Sequence, residues 1–312
     1  MACPYNRLSS WGDPTRIADQ RFRPCRKGSQ RSEQLGNWDA YAQPNNMKIL
    51  FIGDIVGSPG RELVSARLAD IVTQQQIDLV LANAENAAAG FGITPRLAEQ
   101  LFAAGIEVLT GGNHSWDRKE ILDYLPQQPR LLRPANYPDS SPGAGLYLGT
   151  ARNGIRYAVL NVQGRVFMPS IDCPFRTADR LLASLPADVP LVIVDMHAEA
   201  TSEKEAMGWY LDGRVSAVIG THTHVATADE QVLPAGTAYI TDVGMTGPHD
   251  GVIGMDKGGI VKKFLDGLPA RFDVASGDLQ MNAVLLDVDP ANLGPAGRAC
   301  SRSIQRLRFR LD

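Results

Sequence analysis

From residue 47 onward, the chain alternates short apolar runs with longer stretches in which apolar positions recur every three or four residues. Short apolar runs are typical of buried β-strands, and the longer periodic stretches are typical of amphipathic helices. We predict strands at 48–53, 79–82, 107–110, 157–161, 191–195, 215–219 and 238–241. We predict helices at 59–75, 95–104, 118–125 and 202–211. This alternation indicates an α/β domain whose helices pack outside its sheets.

Two parts of the pattern argue against a purely parallel sheet. The apolar runs 146–150 and 155–162 flank Arg152-Asn153-Gly154, and an Asn-Gly pair in that position favours a tight hairpin. Near the C-terminus, 281–288 and 304–311 are predicted strands joined by a loop rich in Pro and Gly. We expect these last strands to be added at the edge of a sheet.

Residues 1–46 lack hydrophobic periodicity and are rich in Arg, Ser, Gln, Gly and Pro. Because such a segment can bury little apolar surface, we predict a disordered N-terminal extension at 1–46 and one catalytic domain at 47–312, with Met47 as a candidate natural start. A targeting or regulatory arm is the alternative. Transit sequences contain few acidic residues, whereas this segment contains Asp13, Asp19, Glu33 and Asp39.

The charges of the chain are nearly balanced, since its 312 residues include 31 Lys and Arg against 34 Asp and Glu. No net basic field draws such a chain to nucleic acid or to an anionic membrane. We therefore expect no stable nucleic-acid binding, and a small anionic substrate must be recruited locally. Composition leaves open whether the chain forms a homo-oligomer.

The cysteines show neither close pairing nor the spacing of metal ligands; they are Cys3, Cys25, Cys173 and Cys300. A chain of this length does not depend on disulfides, so we predict free thiols in a reducing compartment. The apolar runs are too short to cross a bilayer, and the N-terminus lacks the apolar core of a secretory signal. These features predict a cytoplasmic protein.

Polar side chains with metal-binding atoms stand at the ends of five predicted strands. In open α/β sheets, functional groups collect on the loops beyond the carboxyl ends of strands. Taken singly, each such residue is more often a cap or a turn former than a ligand. Taken together they form a pattern, because four of the five histidines in the chain follow strands beside Asp, Glu or Asn. The candidates are Asp54, Glu85, Asn86, Asn113, His197, His222 and His224.

This set of donors is chemically coherent for divalent metal ions. Imidazole, carboxylate and amide oxygen suit Mn, Fe or Zn, and no thiolate is offered. The Glu85 carboxylate can bridge two ions, one with each oxygen. Two-metal sites activate a water molecule on one side and stabilise phosphoryl oxygens on the other. Phosphoester hydrolysis is the reaction that uses such an arrangement best.

Five blocks of sequence resemble the YmdB-like family of the calcineurin-type metallophosphoesterases. The blocks are Ile52-Gly53-Asp54-Ile55-Val56-Gly57-Ser58-Pro59-Gly60-Arg61, Asn83-Ala84-Glu85-Asn86, Gly111-Gly112-Asn113-His114, Phe167-Met168-Pro169 with Asp172-Cys173-Pro174-Phe175, and Thr241-Asp242-Val243-Gly244-Met245-Thr246-Gly247-Pro248. The resemblance covers 47–312. It implies a four-layer sandwich of two mixed β-sheets flanked by helices, and an activity on cyclic nucleotides, the 2′,3′-cyclic type included.

The resemblance also implies how the ligands are shared. One metal would take Asp54, Glu85, Asn86 and His224, and the other would take Glu85, Asn113, His197 and His222. The wider superfamily begins with Asp-x-His, whereas this chain has Asp54-Ile55-Val56, so the amide of Asn86 replaces an imidazole. A first site rich in oxygen favours Mn or Fe over Zn.

His114 matches the catalytic histidine of the family, which implies that it protonates the leaving oxygen. An ordinary imidazole pKa near 6.5 suits acid catalysis around neutral pH. The alternative is a histidine that only supports a ligand. Other activities also stay open, namely a broad phosphomonoesterase or nucleotidase, and a regulatory nucleotide-binding protein with incidental hydrolysis. The turn Gly57–Arg61 has two interpretations. Its backbone N–H groups bind phosphate at the start of a helix, or the turn begins the helix without any binding role.

Overall fold

The computed structural model describes residues 46–310. The predicted disorder of 1–46 therefore falls, apart from Asn46, outside the described residues, as do Cys3 and Cys25. Cys173 and Cys300 are free thiols. No helix among 46–310 is both long and apolar enough to span a membrane.

Thirteen strands and five α-helices make up the described part of the chain. The strands are β1 Met47–Ile52, β2 Asp54–Ile55, β3 Leu79–Asn83, β4 Val108–Thr110, β5 Leu146–Thr150, β6 Arg156–Gln163, β7 Leu191–His197, β8 Ala217–Thr221, β9 Gln231–Val232, β10 Ala238–Ile240, β11 Met245–Pro248, β12 Leu279–Leu293 and β13 Ala299–Arg310. The helices are α1 Gly57–Gln75, α2 Pro95–Ala103, α3 Pro174–Ser184, α4 Thr201–Leu211 and α5 Lys257–Asp266.

The strands form two mixed sheets. The first has the order β2-β11-β12-β1-β3-β4, with β13 also paired to β12, and the second has the order β5-β6-β7-β8-β10-β9. Strands β1, β3 and β4 are mutually parallel, and so are β6, β7, β8 and β10. The β5–β6 hairpin is antiparallel, as the Asn-Gly turn predicts. Because the parallel strands of each sheet share a direction, their carboxyl ends gather at one edge.

Three apolar layers hold the sheets and helices together. Alternate residues of β1 point to opposite faces, so Phe51 packs between the two sheets and Leu50 packs under α1 and α2. In the second sheet, Ile193 packs between the sheets and Val194 packs under the helices on the outer face. The order helices, sheet, sheet, helices is the predicted four-layer sandwich.

Two details of the sequence-based prediction are wrong. The segment 118–125 is not a helix but contains two 3-10 turns, Lys119–Ile121 and Leu125–Gln127. Arg118 is extended, with its Nε donating to the Phe91 carbonyl over 2.9 Å, and Pro126 cannot continue a helical hydrogen-bond pattern. At the C-terminus, β12 is an interior strand paired with β1, β11 and β13, so only β13 adds an edge. Helices α3 and α5 were not predicted.

Candidate metal centre

All seven predicted ligands lie at the edge where the carboxyl ends of the parallel strands meet. Asp54 begins β2, Glu85 and Asn86 follow β3, Asn113 follows β4, His197 ends β7, and His222 and His224 follow β8. The first sheet thus supplies mostly oxygen donors, and the second sheet supplies all three imidazoles.

The imidazole of His197 stands at the middle of this group. Its Nε2 is 3.0 Å from Glu85 Oε1 and 3.1 Å from Asn113 Oδ1. The same nitrogen is 3.1 Å from His222 Nδ1. One donor atom from each of Glu85, His197 and His222 lies within 4.8 Å of the others. Donors from both sheets therefore converge on a space of the size that a metal ion needs.

The remaining predicted ligands surround the same space. His224 Nε2 is 3.2 Å from Asn86 Oδ1, and the backbone N–H of His222 donates to Asp54 Oδ2 over 3.4 Å. A cavity of about 220 Å³ is lined by Glu85, Asn86, His222 and His224. No predicted ligand lies apart from the group.

Two observations indicate that these residues fit a cation. Asp54 is fully buried, yet its Oδ1 has no hydrogen-bond partner in the described residues, and a buried carboxylate oxygen without a partner is costly. A side chain at Gly112 would also fill the space, because a Cβ there would overlap both Glu85 Oε2 and His197 Nε2. The chain therefore keeps room between its donors.

Burial and neighbouring charges shift the pKa values of the group. Burial, and after it the charge of Asp242, raise the pKa of Asp54 well above its ordinary range. Burial also acts to raise the pKa of Glu85, but the charge and hydrogen bond of His197 outweigh it and lower that pKa to about 2. Burial and the His197 charge lower the pKa of His222 to about 3, and burial lowers that of His224. Lowered pKa values favour neutral His222 and His224, the form in which imidazoles bind metals. Burial also acts to lower the pKa of His197, but the charge and hydrogen bond of Glu85 outweigh it and raise that pKa, so metal binding must displace a proton from this imidazole.

A buried hydrogen-bond relay orients His197. The Thr221 hydroxyl donates to Asp195 Oδ1 over 2.7 Å, and His197 Nδ1 is 2.9 Å from the same hydroxyl oxygen. Because the hydroxyl proton is used by Asp195, the imidazole donates its Nδ1 proton to Thr221. His197 Nε2 is then directed toward Glu85 and Asn113. Such relays fix the tautomer and orientation of a ligating histidine.

A second buried group holds the turn that carries His222 and His224. Asp242 Oδ2 accepts hydrogen bonds from Lys204 Nζ at 2.7 Å, Thr223 N at 3.1 Å and Thr223 Oγ1 at 2.8 Å. The Lys204 and Asp242 side chains are 0% and 1% exposed. The turn needs support because His222 and His224 have φ of 102° and 65°, in a region that non-glycine residues rarely adopt.

His114 lies on the loop after β4, at the rim of the centre. Its backbone N–H donates to Glu85 Oε2 over 3.1 Å, and its Nδ1 is 2.7 Å from Asp117 Oδ2. Phe91 packs edge-on against its ring, with ring centroids 5.1 Å apart. Asp117 therefore orients the imidazole and leaves Nε2 available to another partner.

Sequence reasoning missed several residues that support the site. Asp242 stands in a block that carries the family resemblance, but the pattern gave it no role. Lys204 has the right helical spacing for a core position of α4, and its burial could not be foreseen without its partner. Glu199, whose Oε2 is 3.2 Å from His222 Nε2, directly follows the β7 end and shares the strand-end signal.

A family model described as "YmdB-like protein" matches residues 50–296 of the chain. The chain belongs to the YmdB-like family. A 2′,3′-cyclic-nucleotide 2′-phosphodiesterase of Bacillus subtilis (strain 168) is 51% identical over 243 residues, which are 78% of this chain and 92% of the relative.

Two solved structures of family relatives share the fold. A crystal structure of a hypothetical protein from Thermus thermophilus has a TM-score of 0.77 at 41% identity, covering 85% of this chain and all of the other. A novel phosphatase from Mycoplasma pneumoniae has a TM-score of 0.79 at 33% identity, covering 86% and 95%. These similarities confirm the predicted metallophosphoesterase fold. Together with the identity to the Bacillus subtilis enzyme, they show that this YmdB-like protein is a phosphoester hydrolase of a metal-dependent class.

Proposed function

We propose that this YmdB-like protein hydrolyses 2′,3′-cyclic nucleotides with two divalent metal ions. The observation that carries the proposal is the convergence of donors from both sheets. Glu85, Asn113 and His222 surround His197 Nε2 at 3.0–3.1 Å, and Asp54, Asn86 and His224 contact one another or His222 beside them. The substrate class follows from the 51% identity to the Bacillus subtilis enzyme with that activity.

The proposed ligands divide into two sets that share Glu85. The sets are Asp54, Glu85, Asn86 and His224 for one ion, and Glu85, Asn113, His197 and His222 for the other. When bound, two ions in such a site supply a nucleophile at neutral pH and neutralise charge that develops on the phosphoryl oxygens. Manganese or iron is the expected metal, because the first set is rich in oxygen.

His114 is the proposed general acid. In the imidazolium form of His114, Nδ1 donates to Asp117 and Nε2 carries the second proton, which would pass to the 2′-oxygen as its bond to phosphorus breaks. Asp117 stabilises the charged imidazole before transfer. The product would be a nucleoside 3′-phosphate.

The lining of the metal cavity also contains an apolar group of residues, here called the apolar wall: Phe91, Ile253, Met255 and Phe272. Aromatic and aliphatic surfaces of this kind pack against a base or a ribose while polar groups fix the phosphate. The apolar wall therefore favours a nucleoside ester over a small phosphate ester such as glycerol phosphate.

The deciding experiment combines metal analysis with a substrate screen. Purified protein, reconstituted with Mn, Fe or Zn, is offered 2′,3′-cyclic AMP, 3′,5′-cyclic AMP, 2′-AMP and 3′-AMP. We expect two metal ions per chain and fastest hydrolysis of the 2′,3′-cyclic ester, with 3′-AMP as product. Equal or faster release of phosphate from the monoesters would favour the broad phosphomonoesterase instead. Nucleotide binding without significant turnover would favour a regulatory protein.

We also propose that residues 47–312 contain the whole catalytic domain, because every residue of the candidate site lies within them. The truncated chain 47–312 is expected to match the full chain in metal content and kcat/KM. Loss of either property would assign a role to 1–46. The cytoplasmic location and the question of a homo-oligomer remain sequence-based predictions.

A further inference from the structure

A second cavity, of about 560 Å³, borders the candidate site on the side of His114. Its charged lining residues are Arg61, Arg96, Asp117, Arg118, Lys119 and Glu120. Four cationic side chains thus face two acidic ones in a chain whose overall charge is −3. Local positive charge of this kind concentrates anions even when the whole protein is acidic.

The same two loops contribute residues to the lining of both cavities. In the loop after β3, Gly90 and Phe91 line the metal cavity, while Ala88 and Ala89 line the basic cavity. In the loop after β4, His114 lines the metal cavity and Asp117 lines the basic cavity. These two side chains are hydrogen-bonded to each other. A ligand longer than one nucleotide could therefore cross these loops and contact both cavities.

The cations of the basic cavity form no ion pair with a carboxylate among residues 46–310. Arg61 and Arg118 donate to the carbonyls of the loop after β3, at Ala87, Ala88 and Phe91. Arg96 and Lys119 are exposed, and within residues 46–310 neither forms an ion pair.

The acidic residues of the lining do not cancel this charge. Asp117 already pairs with His114. Burial lowers the pKa of Arg61, the charge of Glu62 partly opposes that effect, and the nearby charge of Arg96 acts in the same direction as burial. Two guanidinium groups close together without a shared carboxylate form a site that an anion would stabilise.

We propose that the basic cavity binds the phosphodiester next to a terminal 2′,3′-cyclic phosphate, so that the substrates include short RNA strands with a cyclic phosphate at the 3′ end. This inference rests on the proposed function. The ribose that carries the leaving 2′-oxygen must contact His114, and its 5′-oxygen carries the preceding phosphate. The strand would leave the metal cavity past the loops that separate it from the basic cavity.

The ligand is specified by chemistry as RNA rather than DNA, since only ribose has the vicinal hydroxyls that close a 2′,3′-cyclic phosphate. A cluster of four cations can contact only the last few phosphates of a strand. Binding of this extent is local and sensitive to salt, which agrees with the absence of a basic field over the whole chain.

The test compares a trinucleotide that ends in a 2′,3′-cyclic phosphate with the 2′,3′-cyclic mononucleotide. The test variant is Arg96→Gln/Lys119→Gln, because both side chains are exposed and make no described ion pair. The matched control is Arg152→Gln/Lys262→Gln, which likewise removes one exposed arginine and one exposed lysine that form no described ion pair and line neither of the two cavities. We expect the trinucleotide-to-mononucleotide ratio of kcat/KM to fall about tenfold in the test variant, mainly through the KM of the trinucleotide. The control should keep the wild-type ratio.

Salt dependence provides a second measurement. Affinity for a single strand falls as salt rises, and each phosphate contact makes the plot of log affinity against log salt steeper by about 0.7. The test variant lacks two such contacts, so its plot for the trinucleotide should be less steep by about 1.4. An unchanged ratio, or equal losses in test and control variants, would overturn the inference.

Binding separates this inference from the proposed function. Fluorescence anisotropy with a labelled trinucleotide 3′-phosphate, the expected product, measures the basic cavity without turnover. If the wild-type protein hydrolyses neither cyclic substrate, the proposed function fails. Equal affinity of wild type and test variant for the product strand would then overturn the basic cavity as well, whereas weaker binding by the test variant alone would support it.

Discussion

The metal centre has two sides, and they are built in different ways. The wall from the second sheet, here called the sheet wall, consists of His197, Thr221 and His222 at the ends of β7 and β8. His197 and Thr221 are 0% exposed and are tied to Asp195 by a hydrogen-bond relay. The wall formed by the loops after β3 and β4, here called the loop wall, carries His114 and Asp117, whose side chains are 26% and 43% exposed.

The difference matches two chemical tasks. A metal ligand must keep a fixed position, and residues at strand ends with buried partners provide it. A general acid must exchange protons with water and meet a substrate that enters and leaves, so partial exposure is an advantage for it. Glu85, Asn86 and Asn113, which are also proposed ligands, stand on the loops after β3 and β4 as well. We therefore infer that His197 and His222 of the sheet wall act in metal binding alone, and that His114 and Asp117 of the loop wall act in proton transfer.

His222→Ala should give the largest effect and test the sheet wall directly. The variant removes a proposed ligand atom, so metal content and activity should fall together, by more than the roughly 100-fold expected for a group that only supports a ligand. Added manganese should restore part of both, since a vacated ligand position weakens binding without destroying the other donors. Full metal content with lost activity would remove His222 from the ligand set.

His114→Ala should separate the loop wall from the sheet wall. Loss of the general acid is expected to lower kcat by ~10²–10⁴, equivalent to roughly 3–5 kcal/mol of barrier, with two metal ions retained. A nitrophenyl ester needs less proton donation and should suffer a smaller loss than a ribose ester. Asp117→Asn is a milder control, because the imidazole stays in place.

Two outcomes would contradict this role for His114. Equal losses on both esters, with metal retained, would show that His114 positions the phosphate instead. The backbone N–H of His114 that contacts Glu85 is kept in His114→Ala, so loss of metal in this variant would make the imidazole itself a ligand or the support of one.

Sequence reasoning brought the candidate ligands of both walls to one place for a single physical reason. Apolar runs locate strands, and the residues directly after parallel strands must gather at one edge of the sheet. Asn86 and His224 could therefore be assigned to one place before any interatomic distance was known. It failed where the outcome depended on partners distant in sequence. Lys204 and Asp242 are 38 residues apart, and nothing local to α4 shows that its lysine is buried.

The prediction of a helix at 118–125 failed for a related reason. Arg118 is extended because its guanidinium is held by carbonyls of the loop after β3, about which the local pattern contains no information. The prediction that the C-terminal strands lie at an edge was half wrong, since apolar alternation cannot show how many neighbours a strand has. Tertiary contacts, in each case, override local propensity.

Lys204→Met should destabilise the protein by removing the cation of the buried ion pair that supports the turn of His222 and His224. Removing one member of a buried ion pair leaves the Asp242 carboxylate without its cation and costs about 3–5 kcal/mol of unfolding free energy. Urea unfolding measures this loss, and a metal titration shows whether the turn of His222 and His224 has moved.

The double variant Lys204→Met/Asp242→Asn is the control for charge. Replacing both members of a buried pair is often close to neutral, so the double variant should regain part of the lost stability. Metal affinity should stay low, because an amide is a weaker acceptor for the two Thr223 donors. Recovery of metal affinity to the wild-type value would show that Asp242 does not position the turn.

Thr221→Val should give the smallest effect, and it is the most specific test of the difference between the two walls. Valine keeps the shape of the side chain but removes the hydroxyl between His197 and Asp195, so the imidazole loses the acceptor that fixes its tautomer. Metal affinity is expected to fall about 10- to 100-fold, while kcat at saturating metal changes little because His114 is untouched. Thr221→Ser, which restores the hydroxyl, should recover most of the affinity. If kcat at saturating metal fell and metal affinity did not, the sheet wall would take part in the chemical step itself, and the division of tasks between the two walls would be wrong.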